Sequence, residues 1–190
     1  RASLDWSWFE ALFAHLLRPL AKLRRHPECF YGGMRLLAVD GSSWSLVNTP
    51  QVTSRLASPS NQKGQAGAFP KFMSAVLIEL GTHQPLGAQC EQAVAAHATG
   101  EITLAKTLLG QLPAGEPSLL LADRLYGGAG FIHAVRKRSE EHCQLLVRVI
   151  ENRKARVLEV LSDGSALVEV MLEDKSRRKQ ERKPLRLREI

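Results

Sequence analysis

Residues 119–128 read LLLADRLYGG and residues 36–42 read LLAVDGS. In each, a short aliphatic run delivers the chain to a single aspartate, Asp123 in the first and Asp40 in the second. Short apolar runs bounded by turn-forming residues have the pattern of strands buried on both faces. Burying an unpaired carboxylate costs several kcal/mol or more, so an acid there needs a partner, a metal or an exit to solvent. The sequence raises that problem twice.

The surroundings of the two runs define a fold class. Residues 34–39 predict a strand that ends at Asp40-Gly41. Residues 48–69, rich in Ser, Pro, Gly, Asn and Gln, predict a long mobile loop. Residues 72–80 predict a strand, which Gly81-Thr82-His83-Gln84 turns into another at 86–92. Residues 101–112 predict a helix with Ile102, Ala105, Leu108, Leu109 and Leu112 on one face, stopped by Pro113. A strand at 119–122, a helix at 129–141 and a strand at 145–150 follow. The order is β-β-β-α-β-α-β. A meander followed by strands alternating with helices implies an α/β fold, a mixed sheet flanked by helices. Ligand sites in such sheets gather beyond the carboxyl ends of parallel strands, where both aspartates are expected.

Two further segments flank this core. In residues 1–33, Ser7 and Glu10 form a capping-box pattern, and Phe9, Leu12, Phe13, Leu16, Leu17, Leu20 and Leu23 recur at helical spacing. Pro19 is expected to kink or interrupt that N-terminal helical segment. Beyond the core (34–150), strands predicted at 157–161 and 167–172 flank the hairpin signal Asp163-Gly164. The basic run KSRRKQERK (175–183) and the alternating PLRLREI (184–190) follow, so 151–190 reads as a β-rich addition.

Length and composition bound the rest. The 190 residues, 44% hydrophobic and 24% charged, suit one soluble domain or one domain with a small appendage. No apolar run approaches the roughly 20 residues of a membrane span. The chain begins at Arg1 rather than Met, which suggests a piece of something longer, and its first residues have no signal-peptide pattern. Three scattered cysteines fit neither a disulfide framework nor a zinc knuckle and favour a reducing cytoplasm. The six histidines contain no metal-ligand spacing. Of the net charge of +7, residues 1–38 carry +3 and residues 171–190 carry +4, while 39–170 sum to zero. Basic ends around a neutral middle point to a polyanion touched at the periphery, with nucleic acid the first candidate.

Two carboxylates brought together repel, and a divalent cation between them relieves the repulsion. Oxygen-only ligation favours Mg²⁺ or Mn²⁺. A pair of such ions can activate a hydroxyl and stabilise a leaving oxygen in displacement at phosphorus. That chemistry usually needs a third carboxylate. Taken singly, each aspartate is also a plausible turn former: Asp40 before Gly41, Asp123 beside Arg124. Other chemistries fit worse. Gly127-Gly128-Ala129-Gly130 lacks the ending and spacing of a P-loop, and no His/Asp arrangement singles out Ser42, Ser43 or Tyr126 as a nucleophile.

Asp-Gly-Ser after the first strand, Gly-Ala-Phe-Pro (67–70) opening the next, and Leu-Ala-Asp-Arg-Leu-Tyr-Gly-Gly (121–128) together resemble the DDE catalytic domain of bacterial insertion-sequence transposases of the IS-four family. The resemblance runs from about residue 34 to 190. It implies an RNase H-like fold in which the first and fourth strands lie side by side, with a mostly β insertion after the fifth. It also implies that Asp40, Asp123 and a later Glu hold two Mg²⁺ (or Mn²⁺) ions that cut transposon ends and join them to target DNA, with the full-length chain a homodimer on DNA. Arg124 would stand near the site, and Tyr126 would pack behind Asp123. Apart from the resemblance, the charge of the basic run makes Lys175, Arg177, Arg178, Lys179, Arg182 and Lys183 candidate DNA contacts, the alternative being a solvated hairpin flank. The family's third acid lies on a helix reading Tyr, two residues, Arg, three residues, Glu, six residues, Lys. Arg177 and Glu181 match that spacing, but Asp174 and Arg188 break it, so the catalytic Glu is expected outside these residues. The alternatives are a truncated, inactive relative acting as a DNA-binding or interaction module, and another RNase H-like nuclease.

Overall fold

The structure, a computed structural model, describes residues 5–56, 67–90, 100–138, 142–148, 155–171 and 184–190. Helix α1 (Trp6–Leu16) is capped by Asp5, whose carboxylate accepts the Ser7 N–H at 2.9 Å. The cap is therefore Asp5 rather than Ser7. The helix is over before Pro19, because proline disfavours helical conformation in the residue before it. Strand β1 (Phe30–Tyr31) turns through Gly32 and Gly33, both at positive φ, into β2 (Met34–Ser45). A single turn of helix, α2 (Pro50–Thr53), lies inside the segment expected to be all loop, capped by the Thr49 hydroxyl.

Strands β3 (Lys71–Glu79) and β4 (Gln84–Cys90) form the expected hairpin. Helix α3 (Glu101–Leu108) continues into a 3-10 turn, Leu109–Gln111. Strand β5 (Ser118–Ala122), a 3-10 turn (Arg124–Gly127), α4 (Ala129–Arg138) and β6 (Cys143–Val147) complete the core.

These strands form one six-stranded mixed sheet in the order β4-β3-β2-β5-β6, with β1 paired to the start of β2. Strand β2 is antiparallel to β3, with Leu37 opposite Glu79 and Asp40 opposite Val76. It is parallel to β5, with a register running from Arg35–Ser118 to Val39–Ala122. The first and fourth strands of the expected order are thus neighbours, although 83 residues separate their aspartates (123 less 40).

Alternation along the strands explains what is buried. Leu37 and Val39 on β2, Ala75 and Leu77 on β3, Leu120 on β5 and Cys143 on β6 point to one face. Onto that face pack Leu104, Ala105 and Leu108 of α3, Leu109, and Phe131 and Val135 of α4. At about 25 cal/mol per Å² of apolar surface, burial of this layer is the main force holding helices on sheet.

The end of the sheet away from the aspartates carries a buried ion pair. Arg35 and Glu79, both almost fully buried, are joined directly. Glu79 also accepts from the backbone N–H groups of Leu20 and Ala21 and from the Thr82 hydroxyl. Arg35 donates to the Ala21 carbonyl and to Glu116, and its guanidinium lies 5.0 Å from the Phe30 ring centroid. Such a network offsets the desolvation of both charges and ties the segment after α1 to the sheet.

A separate three-stranded antiparallel sheet, β7 (Ala155–Val160), β8 (Ala166–Met171) and β9 (Pro184–Glu189), occupies the C-terminal part. Its first turn is closed by Gly164 at φ 85° and by Asp163, which accepts from Ser165 and pairs with Arg188. Among the described residues, no helix is long and apolar enough to cross a membrane.

Candidate active site

The parallel ladder between β2 and β5 ends at Val39 and Ala122, and the next residue in each segment is an aspartate, Asp40 still on β2 and Asp123 just past the end of β5. Asp40 and Asp123 are therefore brought side by side. Both are exposed, so neither incurs the cost of a buried charge: the exit to solvent is the answer to the problem the sequence posed. A second expectation needs correction, because β2 does not end at Asp40. It runs on to Ser45, paired from Asp40 onward with β3 alone (Gly41 with Ala75, Ser45 with Lys71). Strand β5 stops where the 3-10 turn begins, so β2 projects beyond its parallel neighbour.

Local hydrogen bonds orient both acids. The Asp123 carboxylate accepts the Leu125 N–H at 2.7 Å and caps the 3-10 turn. The Asp40 carboxylate accepts the Gly41 N–H at 2.9 Å. By strand alternation Asp40 shares a face with Leu36 and Ala38, opposite the face that Leu37 and Val39 bury under the helices. Gly41 returns to the helix-covered face.

A carboxylate that sequence reasoning missed stands beside Gly41. Glu101, the first residue of α3, lies so close that a Cβ on Gly41 would come within 2.1 Å of its Cδ. Its carboxylate accepts the Tyr126 hydroxyl at 2.7 Å. The Tyr126 side chain is fully buried, with its ring centroid 4.9 Å from that of Phe131. Burial, reinforced by the Glu101 acceptor and by the nearby Glu101, Asp40 and Asp123 charges, pushes the Tyr126 hydroxyl far above its ordinary range. No short-range spacing signals this pair, since 25 residues separate its members.

Arg124 is exposed and opens the turn directly after Asp123. The other expected DNA contacts, Lys175, Arg177, Arg178, Lys179, Arg182 and Lys183, lie outside the described residues. Among the described residues, no group of three or more His, Cys, Asp or Glu side chains is arranged to hold a metal ion. The pair Asp40 and Asp123 nonetheless fits one: Mg²⁺ is commonly held by one or two carboxylates, with water and substrate phosphate completing its shell. An exposed, all-oxygen donor pair has that chemistry.

The mixed sheet thus presents two exposed, all-oxygen donors at the end of its β2–β5 ladder. The chain belongs to the transposase DDE domain family, whose model matches residues 31–190. Among solved structures it is similar to a piggyBac transposase in a synaptic complex with hairpin DNA, at 10% identity and a TM-score of 0.43 over 97% of this chain. It is also similar to an endonuclease V from Bacillus subtilis, at 11% identity and a TM-score of 0.30 over 98% of this chain and 76% of the other. The chain spans 40% of the piggyBac transposase chain's length. No curated protein matches the sequence significantly.

Proposed function

We propose that the chain supplies the Asp40–Asp123 part of a Mg²⁺- or Mn²⁺-dependent centre that cleaves transposon ends and joins them to target DNA. The observation that carries this reading is the β2–β5 register, which sets the two aspartates side by side at the end of one parallel ladder. Family membership supports the reaction class. Asp40 and Asp123 would hold the cation, which when bound supplies charge neutralisation at phosphate and activation of an attacking hydroxyl. The chain's own contribution is geometric: two adjacent strands and a capped turn fix the carboxylates before DNA arrives, so little ordering is required at the reaction step. Arg124 is suited to steady a phosphate at the edge of the site. DNA is the partner, met at the site and by the basic run 175–183, and a second copy of the full-length chain would hold the other transposon end.

We further propose that residues 34–150 form the catalytic core and 151–190 an insertion, with the third acid contributed from outside these residues. In this reading the full-length protein is cytoplasmic and associates with the nucleoid when it is on DNA. The test is Mg²⁺-dependent cleavage of a duplex bearing the element's end by the full-length protein. Asp40→Ala and Asp123→Ala should each reduce cleavage by more than the roughly 100-fold typical of losing an outer-shell partner, with DNA binding retained. Cleavage that survives either change contradicts the assignment.

A further inference from the structure

Glu101 touches both aspartate-bearing segments. On one side its carboxylate lies against the backbone of Gly41, the residue after Asp40, in space that only glycine leaves open. On the other it accepts the Tyr126 hydroxyl, and Tyr126 belongs to the turn that Asp123 caps. The Tyr126 N–H also bonds to the Asp123 carbonyl at 3.2 Å. Helix α3, strand β2 and the β5 turn therefore meet at one carboxylate. Strand alternation sets Gly41 on the helix-covered face and Asp40 on the opposite one, so Glu101 approaches from behind the aspartate pair.

We propose that Glu101 is a positioning residue: through its hydrogen bond with Tyr126 and its seat on Gly41 it fixes the separation of Asp40 and Asp123, without itself ligating the cation. This rests on reading the two aspartates as the metal site. The chemistry required is acceptance of one hydrogen bond, which a glutamine side-chain oxygen also provides, whereas a ligand role would require the charge.

The experiment is Mn²⁺ binding to the full-length protein by titration calorimetry, alongside Mg²⁺-dependent cleavage and thermal melting. Outer-shell partners of metal ligands typically contribute 10–100-fold to metal affinity. Tyr126→Phe and Glu101→Ala should each weaken Mn²⁺ binding by about 10-fold, and Glu101→Gln should stay within about threefold of wild type because the bond to Tyr126 survives. The phenylalanine variant keeps the buried ring, so its melting curve separates misplacement of the aspartates from loss of fold. Wild-type Mn²⁺ affinity in both Tyr126→Phe and Glu101→Ala overturns the proposal. So does a glutamine variant as weak as the alanine one, which would make the charge the operative property. Asp123→Ala is the reference arm. If it also binds Mn²⁺ like wild type, the metal site itself is wrong; if it alone loses binding, only the positioning role fails.

Discussion

Val39 pairs with Ala122 in parallel register, and each is followed by an aspartate. The pairing converts two distant sequence positions into neighbours with no contact between the acids required to hold them there. A slip of one residue would turn either aspartate to the other face, and the buried alternation Leu37, Val39 against Leu120 forbids it. The site is therefore stabilised by the core beneath it.

Gly41 is the most exacting backbone position beside the pair. A methyl group there would meet the Glu101 Cδ at 2.1 Å, and either Glu101 or the end of β2 must shift. Gly41→Ala is expected to lower the melting temperature and to reduce Mg²⁺-dependent cleavage. Overpacking of this kind costs about 1–3 kcal/mol. Removing the obstructing side chain in Gly41→Ala/Glu101→Ala should recover part of the lost stability. Thermal melting of the single and double variants checks this; equal losses in both would show that the clash is not with Glu101.

The buried pair at the opposite end predicts a sign for the pH dependence of stability. Burial alone would raise the Glu79 carboxyl, but hydrogen bonds from Thr82, the Ala21 N–H, Arg35 and the Leu20 N–H outweigh it and hold the group below its ordinary range. The folded state then binds fewer protons than the unfolded state around the ordinary glutamate pKa. Its contribution is full above that value and is lost as pH falls through the lower folded one. Glu79→Gln leaves Arg35 buried without its counter-charge and is expected to cost about 3 kcal/mol at neutral pH. Denaturant melts from pH 7 to 3 should show the wild type losing its advantage over the variant with acid. An advantage that grows with acid would contradict the sign.

How far the sequence disclosed this arrangement differs from element to element. The β3–β4 hairpin, α3, β5 and α4 were legible because apolar periodicity and turn residues are local signals, and the adjacency of the first and fourth strands followed from the resemblance. The continuation of β2 past Asp40 was not legible. Asp40-Gly41 has the pattern of a strand end, and it is the pairing of Gly41–Ser45 with β3 that carries the strand on. Leu104 faces the core although it fell off the expected helix face. Asp5 outcompetes Ser7 as the α1 cap, a choice between good capping residues that spacing does not decide. Glu101 reads locally as an ordinary acid in the first turn of a helix, where it suits the dipole. Its link to Tyr126 exists only once the chain has folded α3 over the end of β2.

The basic run predicts a salt effect. If Arg177, Arg178 and Lys179 contact phosphates, neutralising all three should reduce the slope of log K against log salt by up to about 3 for duplex DNA. Affinity titrations between low and moderate salt measure it directly, and an unchanged slope removes these residues from the interface.

The central claim is that Asp40 and Asp123 act on one cation, and anomalous diffraction from crystals of the protein containing Mn²⁺ tests it most directly. The account predicts a Mn²⁺ peak in contact with carboxylate oxygens of both residues, abolished in Asp123→Ala. Ordered aspartates with no peak between them at saturating Mn²⁺, or a peak held by other side chains, would contradict it.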